Sequence, residues 1–185
     1  MPKLDFFDNL KKKLLSSCTK CKNSGWINQD RCECLSRFER YFDYHESGID
    51  REYWDKSLEH WQGDPKAKEI IERYIKNFDQ VFQSGHGLIF NGPVGTGKTL
   101  LAISVLKEAY TRSHSIRLIS IVELMELMFS KIKDVSVKKE YDEYIIKSDF
   151  LCIDNLGLEY QSSYFKNVAF ELEVLIRNRS RNLLP

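Results

Sequence analysis

The sequence predicts an α/β protein, and three observations carry that reading. Short apolar runs of strand character, "HGLIFNG", "SIRLIS" and "DFLCID", alternate with longer segments of helical period. A glycine-rich turn joins the first run to a helix, and an aspartate closes the third. Strands separated by helices favour a parallel sheet flanked by helices on both faces.

The elements follow in order. Leu4, Phe7, Leu10 and Leu14 share one face of a short helix whose C-terminal end carries Lys11 to Lys13, where cations suit the helix dipole. Cys18 to Cys34 is polar and cysteine-dense, and an aromatic-rich stretch broken by Gly48 and Gly63 follows it as a connector. Trp54 and Trp61 are expected as core anchors between that connector and the main domain rather than as base-stacking platforms. Asp64-Pro65 starts a helix, with an N-cap acid before a proline at the first helical position. Ile70, Ile71, Tyr74, Ile75, Phe78, Val81 and Phe82 continue it to a stop at Gly85. Helices are then expected at about 98–112, 121–132 and 136–147. Phe165, Val168, Ala169, Leu172, Leu175 and Ile176 mark a last amphipathic helix. Arg177, Arg179 and Arg181 near its end read as a solvated, dipole-favoured terminus rather than a DNA contact.

Composition bounds the function. The 185 residues carry 28 basic and 27 acidic side chains, a net charge of +1, so charge gives no global argument for nucleic acid. No apolar run approaches the ~18 residues of a membrane span, so no membrane partner is expected. The N-terminal stretch is broken by Asp5, Asp8 and three lysines, unlike a signal peptide. The expected location is cytoplasmic, where cysteines stay reduced or bind metal.

"GPVGTGKT", Gly92 to Thr99, matches G-x-x-x-x-G-K-[ST] in full between a strand and a helix. The expected cradle is Gly92, Pro93, Val94, Gly95, Thr96, Gly97, Lys98, Thr99 and Leu100. Glycines let the backbone turn tightly and aim its N–H groups at phosphate oxygens, and the helix start adds its positive end. Lys98 is expected to reach the β- and γ-phosphates, and the Thr99 hydroxyl to hold Mg²⁺. The chemistry also needs an acid at the end of a neighbouring buried strand, and Asp154 after Phe150, Leu151, Cys152 and Ile153 supplies it. These features define a P-loop nucleotide-binding domain.

Cys18, Cys21, Cys32 and Cys34 form C-x₂-C-x₁₀-C-x-C. Four thiolates close a tetrahedral Zn²⁺ site, with "KNSGWINQD" as a hairpin between the pairs. Four free thiols or a redox pair are the other readings. Cysteines two apart on an extended strand face opposite ways, so Cys32 and Cys34 must sit in a turn to share one metal. The expected organisation is a zinc module at 1–40, a connector at 41–63 and a nucleotide-binding domain at 64–185.

"GLIFNGPVGTGKTLLA", "FLCIDNLGLE" and the helix running into "IRNRSRNLLP" together resemble the AAA+ ATPases of the replicative-helicase loader group, which includes the DnaC and DnaI loaders and the IstB transposition helpers. "SGIDREYWDKSLEHW" and "AKEIIERYIKNF" also look like that group's segment before the phosphate loop, which the resemblance implies lies near the adenine. The resemblance implies ATP binding, a hexameric replicative helicase as partner, contact with single-stranded DNA, assembly with copies of itself and, in some loaders, an N-terminal zinc module that grips the helicase. It also exposes two departures. Asn155 stands where the group usually has a second acid that polarises the attacking water, and an amide cannot take that water's proton. Slow or absent hydrolysis is therefore expected, with Glu159 as the weaker candidate for a substitute base. Second, the group continues past a segment like "NLLP" into a sensor strand, an arginine finger and a helical lid, with the sensor strand inserted between the phosphate-loop strand and the Asp154 strand. The expectation is a truncated chain or gene fragment with two unpaired strand edges facing a gap, a naturally short protein being the alternative. The expected function is a helicase loader. An IstB-like transposition helper and a non-hydrolysing, nucleotide-dependent adaptor are the alternatives.

Overall fold

The computed structural model describes the backbone of residues 2–157 and 165–185, and the side chains of 5–157 and 169–185. The backbone divides into two compact units, Met1–Trp54 and Asp55–Pro185.

In the first unit, α1 (Pro2–Ser16) is followed by a hairpin of β1 (Trp26–Ile27) and β2 (Asp30–Arg31), paired antiparallel. Asn28 turns the hairpin at φ +57°, a left-handed conformation that asparagine tolerates. Cys32 then caps α2 (Glu33–Glu46). Phe7, Leu35, Tyr41, Tyr44, Ile49 and Trp54 are buried together in this unit. Trp54 stacks on Tyr41 at 5.1 Å and donates its indole N–H to Ile49 O at 2.9 Å, so the largest ring brings its polar handle inside satisfied.

In the second unit the helix start predicted at Asp64-Pro65 is present. The Asp64 carboxylate accepts from Lys66 N at 2.9 Å, and Pro65 begins α3 (Pro65–Lys76). The single helix expected to run to Gly85 is instead two. Asn77 donates its side-chain amide to Arg73 O, a local bond that competes with helix continuation, and α4 (Phe78–Ser84) restarts at once. Gly85, at φ +65°, ends α4. Ile71 and Phe78 face inward, but Ile70 is exposed.

Helix α5 (Lys98–Thr111) buries Leu101, Ala102, Ile103, Val105, Leu106 and Ala109, nearly all round its axis, as a central helix does. Strand β3 (Ile116–Ser120) leads into α6 (Ile121–Ser130) through a capping box in which Ser120 and Glu123 satisfy each other's backbone N–H. The helix expected at 136–147 is α7 (Val135–Tyr141) followed by one widened turn, Asp142–Ile146, closed by Lys147 N donating to Asp142 O. Strand β4 (Phe150–Asp154) pairs parallel with β3, placing Ile119 beside Ile153 and Ser120 beside Asp154. Ile119, Leu151 and Ile153 pack with Leu124, Met128, Ile145 and Leu175. On the opposite face Phe150 stacks on Phe78 and Phe82. The sheet is covered on both sides.

Two expectations need correction. "HGLIFNG" joins no sheet among the described residues. Its side chains still alternate: Leu88 and Phe90 pack against Ile71, Leu101 and Val105, while Ile89 is 94% exposed. It keeps the pleat of a strand without a neighbour to pair with. The second correction concerns α8 (Phe165–Arg181), where Leu172 and Leu175 face the core but Ala169 and Ile176 do not. Arg179, expected in solvent, is 6% exposed. Its guanidinium donates to the carbonyls of Ile145, Ser148, Asp149 and Pro185, tying the widened turn, the start of β4 and the last residue to α8. The backbone places Phe165 and Val168 in α8, but their side chains and all of Glu159 lie outside the described residues.

Candidate functional site

The glycine turn delivers its residues to the N-terminus of α5. Gly95 and Gly97 both take φ +80°, the left-handed region that other residues enter at a cost. Gly97 caps α5 without a side-chain hydrogen bond, which leaves the first-turn amides unserved by any cap. Gly92, Pro93, Val94, Gly95 and Thr96 form the exposed rim, with Val94 at 99% exposure. Thr96 Oγ1 donates to Pro93 O at 2.9 Å and pins the turn. Lys98 folds back over it, Nζ donating to Gly92 O at 2.9 Å and to Pro93 O at 2.7 Å. The ammonium is thus parked on two carbonyls of the loop it serves.

The strand-end acid meets this loop. Thr99 Oγ1 donates to Asp154 Oδ2 at 2.9 Å across 55 residues of sequence. Asp154 Oδ1 accepts from Asn155 N at 2.8 Å, so both carboxylate oxygens are oriented. Two hard oxygen donors therefore stand side by side at the mouth of the loop, a donor set suited to Mg²⁺. Asn155 is exposed at φ +59°. Leu100 follows in the first turn of α5, half-buried. Cys152, two residues before Asp154 and half-buried, has its thiol pushed up to about 12 by burial, reinforced by the Asp154 charge, and so stays protonated.

One neighbour of the loop was not legible as such. Trp61 lays the pyrrole edge of its indole against Gly97, where a Cβ would fall 2.5 Å from Nε1. Patterning marked it as an anchor and the resemblance set its segment near the nucleotide, but nothing local links position 61 to position 97.

In the first unit the four cysteine Sγ atoms all lie within 4.8 Å of one another. Cys18 and Cys32 are 3.7 Å apart, Cys21 and Cys34 3.5 Å. Tetrahedral Zn²⁺ with bonds of about 2.3 Å requires sulfurs roughly 3.8 Å apart, so the cluster has the right size. The C-x-C pair meets its geometric demand at a helix start: Cys32 is the cap and Cys34 lies in the first turn of α2, where thiolates are favoured. Gly25 N donates to Cys21 Sγ at 3.3 Å. Burial opposes ionisation of Cys21, but that N–H and the neighbouring thiols outweigh it and draw it down to about 6. Burial, with those same neighbours, pushes Cys34 up to about 12. Four sulfurs this close cannot all carry charge unless a cation shares them.

A parallel sheet flanked by helices, a glycine loop at a helix N-terminus and a strand-end acid bonded to that helix's threonine define a P-loop nucleotide-binding protein of the AAA+ type. The chain belongs to the family of IstB-like ATP binding proteins, whose sequence model matches residues 59–180. It is also similar to the replicative helicase loader DnaC of Escherichia coli (strain K12), 26% identical over 147 residues, which cover 77% of this chain and 58% of that protein. DnaC of Buchnera aphidicola subsp. Acyrthosiphon pisum is 28% identical over 133 residues, covering 68% of this chain and 52% of that one. The chain thus spans a little over half the length of the curated relatives it matches. Among the described residues no helix is long and apolar enough to cross a membrane.

Proposed function

We propose that this chain is an ATP-binding DNA-replication protein that docks a replicative helicase for loading on single-stranded DNA. The observation that carries the reading is the Thr99–Asp154 hydrogen bond, which joins the glycine loop to the strand-end acid in one nucleotide site. The likeness to proteins named replicative helicase loaders supports the choice of partner.

Backbone N–H groups between Gly92 and Leu100, Pro93 having none, would hold the phosphates of ATP, and Lys98 would exchange its two loop carbonyls for phosphate oxygens. Thr99 and Asp154 would hold Mg²⁺, which would supply charge neutralisation at the phosphates. Asn155 orients water but accepts no proton, so ATP acts mainly as a conformational ligand. Cys18, Cys21, Cys32 and Cys34 hold Zn²⁺, and the module at 1–40 grips the protein partner. The stretch 41–63 connects it to the nucleotide domain at 64–185, through which copies of the chain associate.

The test is capture of purified replicative helicase by the chain with Mg·ATP, with and without Lys98→Ala. Nucleotide-dependent capture that the variant loses is the expected result, and no capture in either state defeats the helicase assignment. The family match favours a second reading, an IstB-like helper that recruits a transposase, and capture of the transposase instead selects it. Asn155 favours a third, a non-hydrolysing adaptor, distinguished by turnover.

A further inference from the structure

We propose that Trp61 is a nucleotide-contacting residue, whose indole N–H donates to an acceptor oxygen of the nucleotide held by the phosphate loop. The inference rests on the nucleotide reading of Gly92–Thr99 and adds to it a residue from outside the loop.

Trp61 Nε1 is buried and has no hydrogen-bond partner among the described residues. A buried donor left without an acceptor forfeits its hydration with no return, so such groups are rare unless something absent satisfies them. The ring has no freedom to find another partner. Its six-membered edge lies against Gly63, where a Cβ would come within 2.3 Å of Cζ2 and 2.6 Å of Cη2. Its pyrrole edge lies against Gly97, where a Cβ would come within 2.5 Å of Nε1 and 2.8 Å of Cδ1. Its body packs on Ile71, Leu101 and Val105. Both glycines are thus occupied by one indole, and its N–H is fixed at the residue that caps α5.

The chemistry of that spot selects the ligand. The indole nitrogen can only donate, as can the Lys98 ammonium and the first-turn amides of α5. An arrangement of donors around a cap with no side-chain acceptor calls for a group rich in acceptor oxygens. A phosphate chain and a sugar both offer such oxygens, and the loop favours the phosphate.

The chain has three tryptophans, so its ¹⁵N spectrum has three indole signals, and the one missing from Trp61→Phe identifies Trp61. In the wild-type full chain, saturating Mg·ADP is expected to move that signal and leave those of Trp26 and Trp54 in place. Mg·pyrophosphate producing the same shift assigns the acceptor to the phosphate chain, and a shift with ADP alone assigns it to the nucleoside. Trp61→Phe keeps an aromatic ring at the position and removes the donor, and is expected to bind ADP about tenfold more weakly with its circular dichroism unchanged. Should Trp61→Phe fail to fold, the wild-type signals still decide the matter once assigned through Trp26→Phe and Trp54→Phe. An indole signal that stays put while ADP binds, or wild-type affinity in a folded Trp61→Phe, overturns the proposal and leaves the loop reading intact. A wild-type chain that binds neither ADP nor pyrophosphate overturns both.

Discussion

Thr99, in the first turn of α5, donates its hydroxyl to Asp154 at the end of β4, over 2.9 Å. The bond closes a path from the glycine loop through α5 to the sheet, and it sets two oxygen atoms where a small hard cation is bound between loop and strand. Thr99→Val and Asp154→Asn each remove a cation-binding oxygen or its charge while leaving the volume almost unchanged. Each is expected to lower affinity for Mg·ATP by roughly tenfold to a hundredfold, the range for losing a charge-assisted contact. Affinity for ATP in excess chelator should barely change. Equal losses with and without Mg²⁺, in paired calorimetric titrations, would assign the two residues to packing alone.

Asn155 follows that carboxylate at φ +59°. Short polar side chains enter this left-handed region readily, whereas a longer one pays about 1–2 kcal/mol. Asn155→Asp therefore restores a proton acceptor at little conformational cost, and Asn155→Glu restores one under strain. Wild-type phosphate release is expected well below an ordinary turnover of about 10 per second, rising at least about tenfold in Asn155→Asp and less in Asn155→Glu. Ordinary turnover in the wild type ends the conformational-ligand reading. No gain in either variant places the deficit elsewhere in the site.

Those residues were legible because their chemistry is local. Asp64-Pro65 starts a helix whatever surrounds it, Gly85 ends one, and "GPVGTGKT" fixes a loop by its own backbone. The cysteine cluster was legible for the same reason: the spacing alone suffices to bring four thiols to one place. What was not legible depends on distant partners. "HGLIFNG" has the alternation of a strand, but a strand exists only by pairing, and periodicity says nothing of the neighbour. The break at Asn77 turns on one amide reaching back to Arg73. Trp61 and Arg179 carry ordinary local signals, an aromatic in a connector and a cation near a helix end. Only tertiary contact sends one to Gly97 and buries the other.

The cysteine cluster makes a prediction in which pH has a definite sign. Ligation needs thiolates, so protons compete with the metal and affinity falls as pH falls. About one zinc per chain is expected at neutral pH, released by acid or by a strong chelator, with loss of the near-ultraviolet signal of the aromatic core around Trp54. Thiol titration should then show four groups reacting after chelation. Cys152, its thiol held near 12, should react only on unfolding. No zinc by metal analysis, with all four thiols free in the native chain, removes the assignment.

Arg179 is a structural cation: one side chain serves carbonyls on the widened turn, on the two residues just before β4 and at Pro185. Arg179→Ala orphans those acceptors and opens a cavity, and is expected to cost about 3–5 kcal/mol in urea unfolding. Arg179→Lys keeps the charge without the planar fork and should recover only part of that. Arg177, exposed and paired with Glu173 one turn earlier, should cost less than about 0.5 kcal/mol on the same substitution. Equal costs at the two positions would mean that the buried fork is not what holds the C-terminal residues.

Gly63 offers the sharpest test of how the indole is held. A methyl there would collide with Cζ2 and Cη2 of Trp61, and the ring cannot slide away because its other edge meets Gly97. Gly63→Ala is therefore expected to destabilise the chain by about 1–3 kcal/mol, the usual cost of overpacking. It should also weaken ADP binding, by displacing the indole from the cap of α5. The benzyl ring of Trp61→Phe is smaller than the indole and leaves the Gly63 side of the wedge less filled. In the Trp61→Phe background, Gly63→Ala should accordingly cost far less. The double-mutant cycle, read by urea unfolding and by ADP titration, isolates that coupling from any effect on the connector backbone. Additive losses would mean that Gly63 is needed for its own conformation and that the wedge does not fix Trp61.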